Sequence, residues 1–309
     1  MPMRSSGAAV AIDRGRRRFL QLLAMASAGC LLVPAQRAES ATQGGSLQRR
    51  VAALVERMYR RGALGRGERC SWSVYDFTTG EQLLSINDSV PRQAASMIKP
   101  FVAQAFFFQA ARSRVSYTPE VRRLMQRMIQ HSDNAATNRL IERIAATRSG
   151  RGPKDVQAIL QERAPDIFRQ TRIVERIPPG GATYANRASA QDYNRFLQAI
   201  QRGRLPYSQE MRRLMRLPNQ DRILRGVPAM PGAARVCDKT GSTARLCGDM
   251  GIIEIPDRSG RYHAYTLIGI IERSSSAASY GRWIRSRGNL IREVSALVYQ
   301  EMKERHGLV

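Results

Sequence analysis

The hydrophobic pattern runs helix, two strands, a mostly helical middle, three strands, helix, and no other feature narrows the fold as far. Strands confined to the two ends of the folded part suggest one sheet made from both. The order therefore predicts an α/β protein of α+β type: an antiparallel five-stranded sheet built from both ends, flanked by the terminal helices, with an all-helical subdomain inserted between. Leu47, Val51, Leu54 and Met58 mark one side of a helix over Ser46 to Arg61. Ser71 to Phe77 alternates, Thr78-Thr79-Gly80 turns, and Glu81 to Ile86 returns as a hairpin. Thr118-Pro119-Glu120 starts a helix through Ile129, another follows Asn134, and Gly152-Pro153-Lys154 opens the next. Residues 171–187 read as irregular around Pro178-Pro179-Gly180-Gly181, and Ser189 and Ser208 cap two further helices. Strands return at Val236 to Ser242, Met250 to Ile255 and Tyr262 to Ile271, before a long helix from Tyr280 to Met302. The expected division is residues 46–92 with 232–309 for the sheet subdomain and residues 93–231 for the helical one.

Within that frame, Ser96-Met97-Ile98-Lys99 opens an apolar run (Phe101, Val102, Ala103, Ala105, Phe106, Phe107, Phe108). Three residues of helix put hydroxyl and amine on one face, about 4.5 Å apart along the axis, which is a nucleophile beside a base. Alone, such a spacing arises by chance. Composition sharpens it: of fifty basic residues only Lys99, Lys154, Lys239 and Lys303 are lysines. A chain this biased toward arginine keeps lysine where arginine cannot serve, and a general base is such a place because guanidinium does not lose its proton in a protein. Further on, Ser132-Asp133-Asn134 sits between two helices, where it either presents a hydroxyl and a carboxamide at a break in regular structure or simply caps a helix. Lys239-Thr240-Gly241-Ser242 lies on a strand.

Charge and composition exclude other classes. The formal charge of +25 suggests anionic surroundings, but the arginines are spread along the whole chain and only 6% of residues are aromatic, which speaks against a nucleic-acid partner. His131, His263 and His306 are far apart and no cysteine pair has C-x-x-C spacing, so neither metal nor other cofactor is expected. Residues 1–40 read as a targeting segment: Arg16-Arg17-Arg18-Phe19-Leu20 resembles a twin-arginine export signal and precedes an apolar stretch to Ala35. The expectation is export to the periplasm by the twin-arginine machinery, with a lipoprotein anchored through Cys30 as the alternative. Among the remaining thiols, Cys237 and Cys247 bracket a hairpin and are the better candidates for a disulfide; otherwise all stay free and buried.

Taken in order, Ser96-x-x-Lys99, Ser132-Asp133-Asn134 and Lys239-Thr240-Gly241 resemble the three motifs of the penicillin-recognising serine enzymes, class A β-lactamases and D,D-peptidases, over residues 46–305. The resemblance implies a β-lactamase/transpeptidase-like fold and a β-lactam or peptidoglycan stem peptide as substrate; a monomer is expected, although the sequence does not fix the oligomeric state. It implies that Ser96 attacks the carbonyl and Lys99 takes its proton. Ser132 would relay a proton to the leaving nitrogen, and Asn134 would bind the substrate amide. Lys239, Thr240 and Ser242 would hold a substrate carboxylate. The N–H groups of Ser96 and Ser242 would form the oxyanion hole, with Gly241 permitting close approach, and His131 would be a wall. Two departures matter. Ser96 to Ser132 is a shorter interval than in typical class A enzymes, so a flanking loop that walls their site is expected to be missing, and the deacylating glutamate is displaced. Class A enzymes carry a water-activating glutamate in T-R-x-x-x-x-E-P, whereas here Thr171-Arg172 leads to Ile177-Pro178, with Glu175 out of register. Acylation should therefore be intact and deacylation of β-lactams weak. A D,D-carboxypeptidase-like enzyme is the close alternative, and an envelope-binding protein in which Ser96 is only a trap is the alternative of another class.

Overall fold

The computed structural model describes residues 36–309, with side chains from residue 45. The expected targeting segment, with Arg16, Arg17 and Cys30, lies outside the described residues apart from its last few positions. Those begin helix α1, Gln36–Arg60, which starts ten residues before the expected Ser46 because Gln36 to Gly45 carries no apolar periodicity to reveal it. Then follow strand β1 (Glu68–Asp76), β2 (Glu81–Ile86), the short β3 (Arg92–Gln93) and a 3₁₀ turn (Ala95–Ile98). Helices α2 (Lys99–Ala110), α3 (Pro119–Gln130), α4 (Asn134–Ala146) and α5 (Pro153–Arg163) make up the first part of the insertion, and β4 (Arg187–Ala188), α6 (Ala190–Gln201) and α7 (Ser208–Met215) complete it. Strands β5 (Arg235–Thr243), β6 (Leu246–Pro256) and β7 (Tyr262–Arg273) lead into α8 (Tyr280–His306).

The five long strands form one sheet in the order β2-β1-β7-β6-β5, every pair antiparallel. Both faces are covered, so the strands are apolar on both sides. One apolar cluster joins Trp72, Val74, Tyr265, Leu267 and Ile271 to Leu47, Val51, Val294 and Val298 of α1 and α8. The other joins Met250, Ile268 and Ile270 to the helical insertion. At the centre of the sheet Gly269 is obligatory, since a Cβ there would lie 2.4 Å from the Trp72 ring.

Helix α2 is apolar all round, and every residue from Lys99 to Gln109 is buried. Phe101 is its anchor, with ring centroids 4.8, 5.0 and 5.1 Å from Phe168, Tyr193 and Phe196; burying one such ring is worth roughly 1.5–3 kcal/mol. Pro100 stands in the first turn, where its missing N–H costs nothing. Helix α6 is fixed to the sheet by a buried polar contact: Asn194 donates to Ser73 Oγ at 2.8 Å and accepts from Thr266 Oγ1 at 2.8 Å.

Two local expectations are corrected. Cys237 and Cys247 are five residues out of register across β5 and β6, and they belong to the cores on opposite faces of the sheet. No bridge can form between them, and Cys70, Cys237 and Cys247 are all free and buried. Ser208 is the first residue of α7 instead of its cap; Tyr207 holds the cap position in the left-handed conformation, and Ser208 Oγ donates back to Leu205 O.

Candidate active site

Ser96 and Lys99 lie where the chain passes from sheet to helix. The approach is rigid: β3 pairs with β4, Gln93 N donates to Glu272 Oε1 at 2.9 Å, and buried Arg92 pairs with the same carboxylate at 3.3 Å. Ala95 then takes φ 45°, a conformation alanine avoids, and Ser132 takes φ 57°. Left-handed non-glycine residues just before one expected motif and on another are strain that the surrounding packing must hold in place. Ser96 itself stands in the 3₁₀ turn, three residues before Lys99, the first residue of α2.

Buried Lys99 carries the interactions that join the first two motifs. Its Nζ donates to Ser132 O at 2.5 Å, Ser132 Oγ at 3.0 Å and Asn134 Oδ1 at 2.9 Å. Burial pulls its pKa down from 10.5 to about 7, with the positive charge of Lys239 acting in the same direction and Asp133 opposing both. Asp133 has a separate task. As N-cap of α4 it accepts from Ala136 N at 2.8 Å, so the tripeptide both caps a helix and presents its two flanking side chains to Lys99.

Lys239 enters from β5, also buried, with Nζ donating to Thr240 O at 3.1 Å. Burial lowers its pKa too, against the pull of Asp238 and Asp249. The strand reaches the serine turn because Gly241 has no side chain: a Cβ there would meet Met97 Cγ at 2.9 Å and Ala94 O at 3.3 Å. Ser96, Ser132, Asn134, Thr240 and Ser242 line one cavity of about 550 Å³, with Ile177, Thr183, Tyr184 and Tyr280 among its other walls. All eight residues singled out from the sequence thus converge: five on the cavity, two lysines packed against it, and Gly241 at the seam. His131 is exposed and lines an adjoining recess with Lys239 and Arg225 instead of the serine cavity.

The loop over the cavity explains the missing glutamate. Asn138 brackets Ile177, donating to its carbonyl at 2.7 Å and accepting from its N–H at 3.0 Å. Ile177 is thereby fixed as a buried apolar wall of the cavity. Glu175 is used elsewhere: its Oε1 accepts from Thr183 Oγ1 and from Ala185 N at 2.8 Å, which holds the loop closed. At the far rim the guanidinium of Arg245, in the β5–β6 turn, lies 4.7 Å from the centre of the Tyr184 ring.

Arg222 was not foreseen. Its Nη2 donates to Ser242 Oγ at 2.6 Å and its Nη1 to Gly248 O at 2.7 Å, while its own N–H donates to Asp249 Oδ2 at 2.6 Å. It orients the Ser242 hydroxyl and adds a second buried positive charge beside Lys239. One arginine among so many, outside any motif, gives no signal in the sequence.

A profile described as the beta-lactamase enzyme family matches residues 47–121 and 112–302. Among solved structures, a mutant of PBP-A in an acyl-enzyme complex with penicillin-G is 22% identical, at a TM-score of 0.66 over 84% of this chain and 97% of that one. The reconstructed class A β-lactamase of the last common ancestor of Gram-negative bacteria is 22% identical, at 0.62 over 83% of this chain and 99% of that one. A class A β-lactamase representative from Bacteroides cellulosilyticus is 15% identical, at 0.65 over 85% and 99%. These likenesses establish the fold. No curated protein matches the sequence.

Proposed function

The chain belongs to the beta-lactamase enzyme family, and from that premise we propose that it is a serine hydrolase acylated at Ser96 by β-lactams or by cell-wall peptides of the D-Ala-D-Ala type, with slow release of the β-lactam product. The observation that carries this reading is Lys99, a buried amine with a pKa near 7 between Ser132 and Asn134, one helical turn after a serine on the cavity wall. Neutral Lys99 takes the Ser96 proton as Oγ bonds to the carbonyl carbon. The tetrahedral oxyanion is received by the N–H groups of Ser96 and Ser242. As the C–N bond breaks, the proton passes through Ser132 Oγ, 3.0 Å from Lys99, to the leaving nitrogen. The substrate carboxylate is met by Thr240 and Ser242 at the surface, with the charges of Lys239 and Arg222 behind them.

Ile177 favours a D,D-carboxypeptidase-like role over an efficient β-lactamase. A water entering beside it finds no carboxylate to take its proton, and general-base help of that kind is worth about 10²–10⁴ in rate. The test of acylation is intact mass after exposure to a penicillin. One equivalent of penicilloyl mass is expected on the wild-type protein and none on Ser96→Ala; an adduct that survives the substitution, or no adduct on folded wild-type protein with several β-lactam classes, contradicts the proposal.

A further inference from the structure

We infer that a groove between α5 and α6 is a binding site for ligands that carry phosphate groups, separate from the serine cavity. The groove has a volume of about 490 Å³ and shares no lining residue with the catalytic cavity. Five of its twelve lining residues are arginines: Arg163, Arg169, Arg195, Arg202 and Arg204. Four of the five are exposed and Arg195 is half-buried, so their charges face one groove. Arg195 and Arg202 share one stripe of α6 with Gln198 and Ala199, at the i, i+3, i+4, i+7 spacing of a helix face. Arg163 ends α5, and the other two rise from the segments that follow each helix. Between them the floor is apolar, made by Ala164, Ile167, Ala199 and Leu205.

The negative groups facing these cations are too few to neutralise them. Exposed Asp166 pairs with Arg169 at 3.1 Å. Asp192 reaches Arg195 at 3.4 Å, but its other oxygen is occupied by Gln170 N and Thr171 Oγ1, and Asp88 acts on Arg195 only through its field. Arg202 spends its donors on Gln198 and the Tyr75 hydroxyl, neither of which carries a formal charge. The side chains of exposed Arg163 and Arg204 make no hydrogen bond or ion pair among the described residues. Arg163 and Arg202 stand at helix C-termini, where a cation complements the helix dipole; that explains two of the five. Arg169 and Arg195 also repel one another closely enough to lower the proton affinity of Arg195, after burial the largest influence on it. Five guanidiniums around one groove, only two of them paired with carboxylates, suit a group with more than one negative charge and several acceptor oxygens. Phosphate has both, and a carboxylate has a single charge.

The test is titration of the full chain by calorimetry with three probes: inorganic phosphate, tripolyphosphate, and vesicles containing phosphatidylglycerol. Arg163→Gln/Arg204→Gln changes the groove without removing any bond, and Arg258→Gln/Arg282→Gln, exposed and distant in sequence, removes the same net charge elsewhere. Tripolyphosphate should bind more tightly than phosphate, and the groove variant should lose about tenfold or more in affinity while the control changes less than about twofold. If the groove-dependent loss is seen with vesicles and not with tripolyphosphate, the phosphate is that of a lipid headgroup. Equal losses in the two variants, or no loss in the groove variant with any probe, would overturn the inference. Acylation by penicillin should be the same in all three proteins, so this result is independent of the chemistry at Ser96.

Discussion

In the proposed mechanism, the proton affinity of Lys99 decides what the serine can do. Below pH 7 the amine is mostly an ammonium with its donors spent on Ser132 and Asn134; above it, a lone pair becomes available. Acylation should therefore rise with pH on a single limb with its midpoint near 7, read as the rate of penicilloyl mass appearing from pH 5.5 to 8.5. Lys99→Arg should abolish the limb, because guanidinium stays charged throughout. Since the Lys239 charge helps hold the value down, Lys239→Met should move the midpoint upward, besides weakening substrate binding; an unchanged midpoint would show that the two lysines do not communicate. Linkage gives the same sign for stability. Between about 7 and 10.5 the unfolded chain holds a proton that native Lys99 has released, so the contribution of this group to stability rises with pH in that window. These residues were legible in the sequence because lysine is scarce and the three short motifs keep a fixed order. Arg222 was illegible for the opposite reason: its importance lies in reaching Ser242 and Gly248 across the fold, which spacing does not record.

At the scale of elements, the site depends on β5 lying directly against the serine turn. Gly241→Ala places a methyl group 2.9 Å from Met97 Cγ and against the Ala94 carbonyl, so the strand must retreat. Overpacking of this kind typically costs about 1–3 kcal/mol, and here it should also slow acylation, since Thr240 and Ser242 would move with the strand. Thermal melts and adduct formation, measured on the same preparation, check both; a variant as stable and as reactive as wild type would show that the seam is loose. The continuous apolar run of α2 and the periodicity of α3, α4 and the strands were readable, and so were the caps at Thr118 and Ser189. The loop over the cavity was not, because its shape comes from Asn138, Asn186 and Glu175 bonding to distant backbone groups. Cys237 and Cys247 misled for a related reason: a hairpin shows which residues are near in sequence, whereas facing opposite sides of the sheet follows from register.

For the whole molecule, the pairing of the two chain ends into one sheet places the helical insertion across β5 and leaves the cavity at the junction. The order of elements suggested that architecture because one sheet made from both ends buries all five strands under the terminal helices and the insertion. The export proposal belongs at this scale as well. Arg16→Lys/Arg17→Lys should leave the protein unprocessed in the cytoplasm, since the twin-arginine signal is read by a receptor and not as charge; processed protein outside the cytoplasm would contradict it. The central claim is that the site can be acylated yet lacks a carboxylate to release the product, with Ile177 fixed by Asn138 on the wall and Glu175 committed to the loop. The most direct measurement is the lifetime of the penicilloyl adduct at Ser96, followed by intact mass after excess penicillin is removed. The adduct should persist well beyond the time it takes to form, since its hydrolysis lacks general-base help worth about 10²–10⁴ in rate, and Ile177→Glu should shorten it. Prompt decay with steady turnover of penicillin by the wild-type protein would contradict the account.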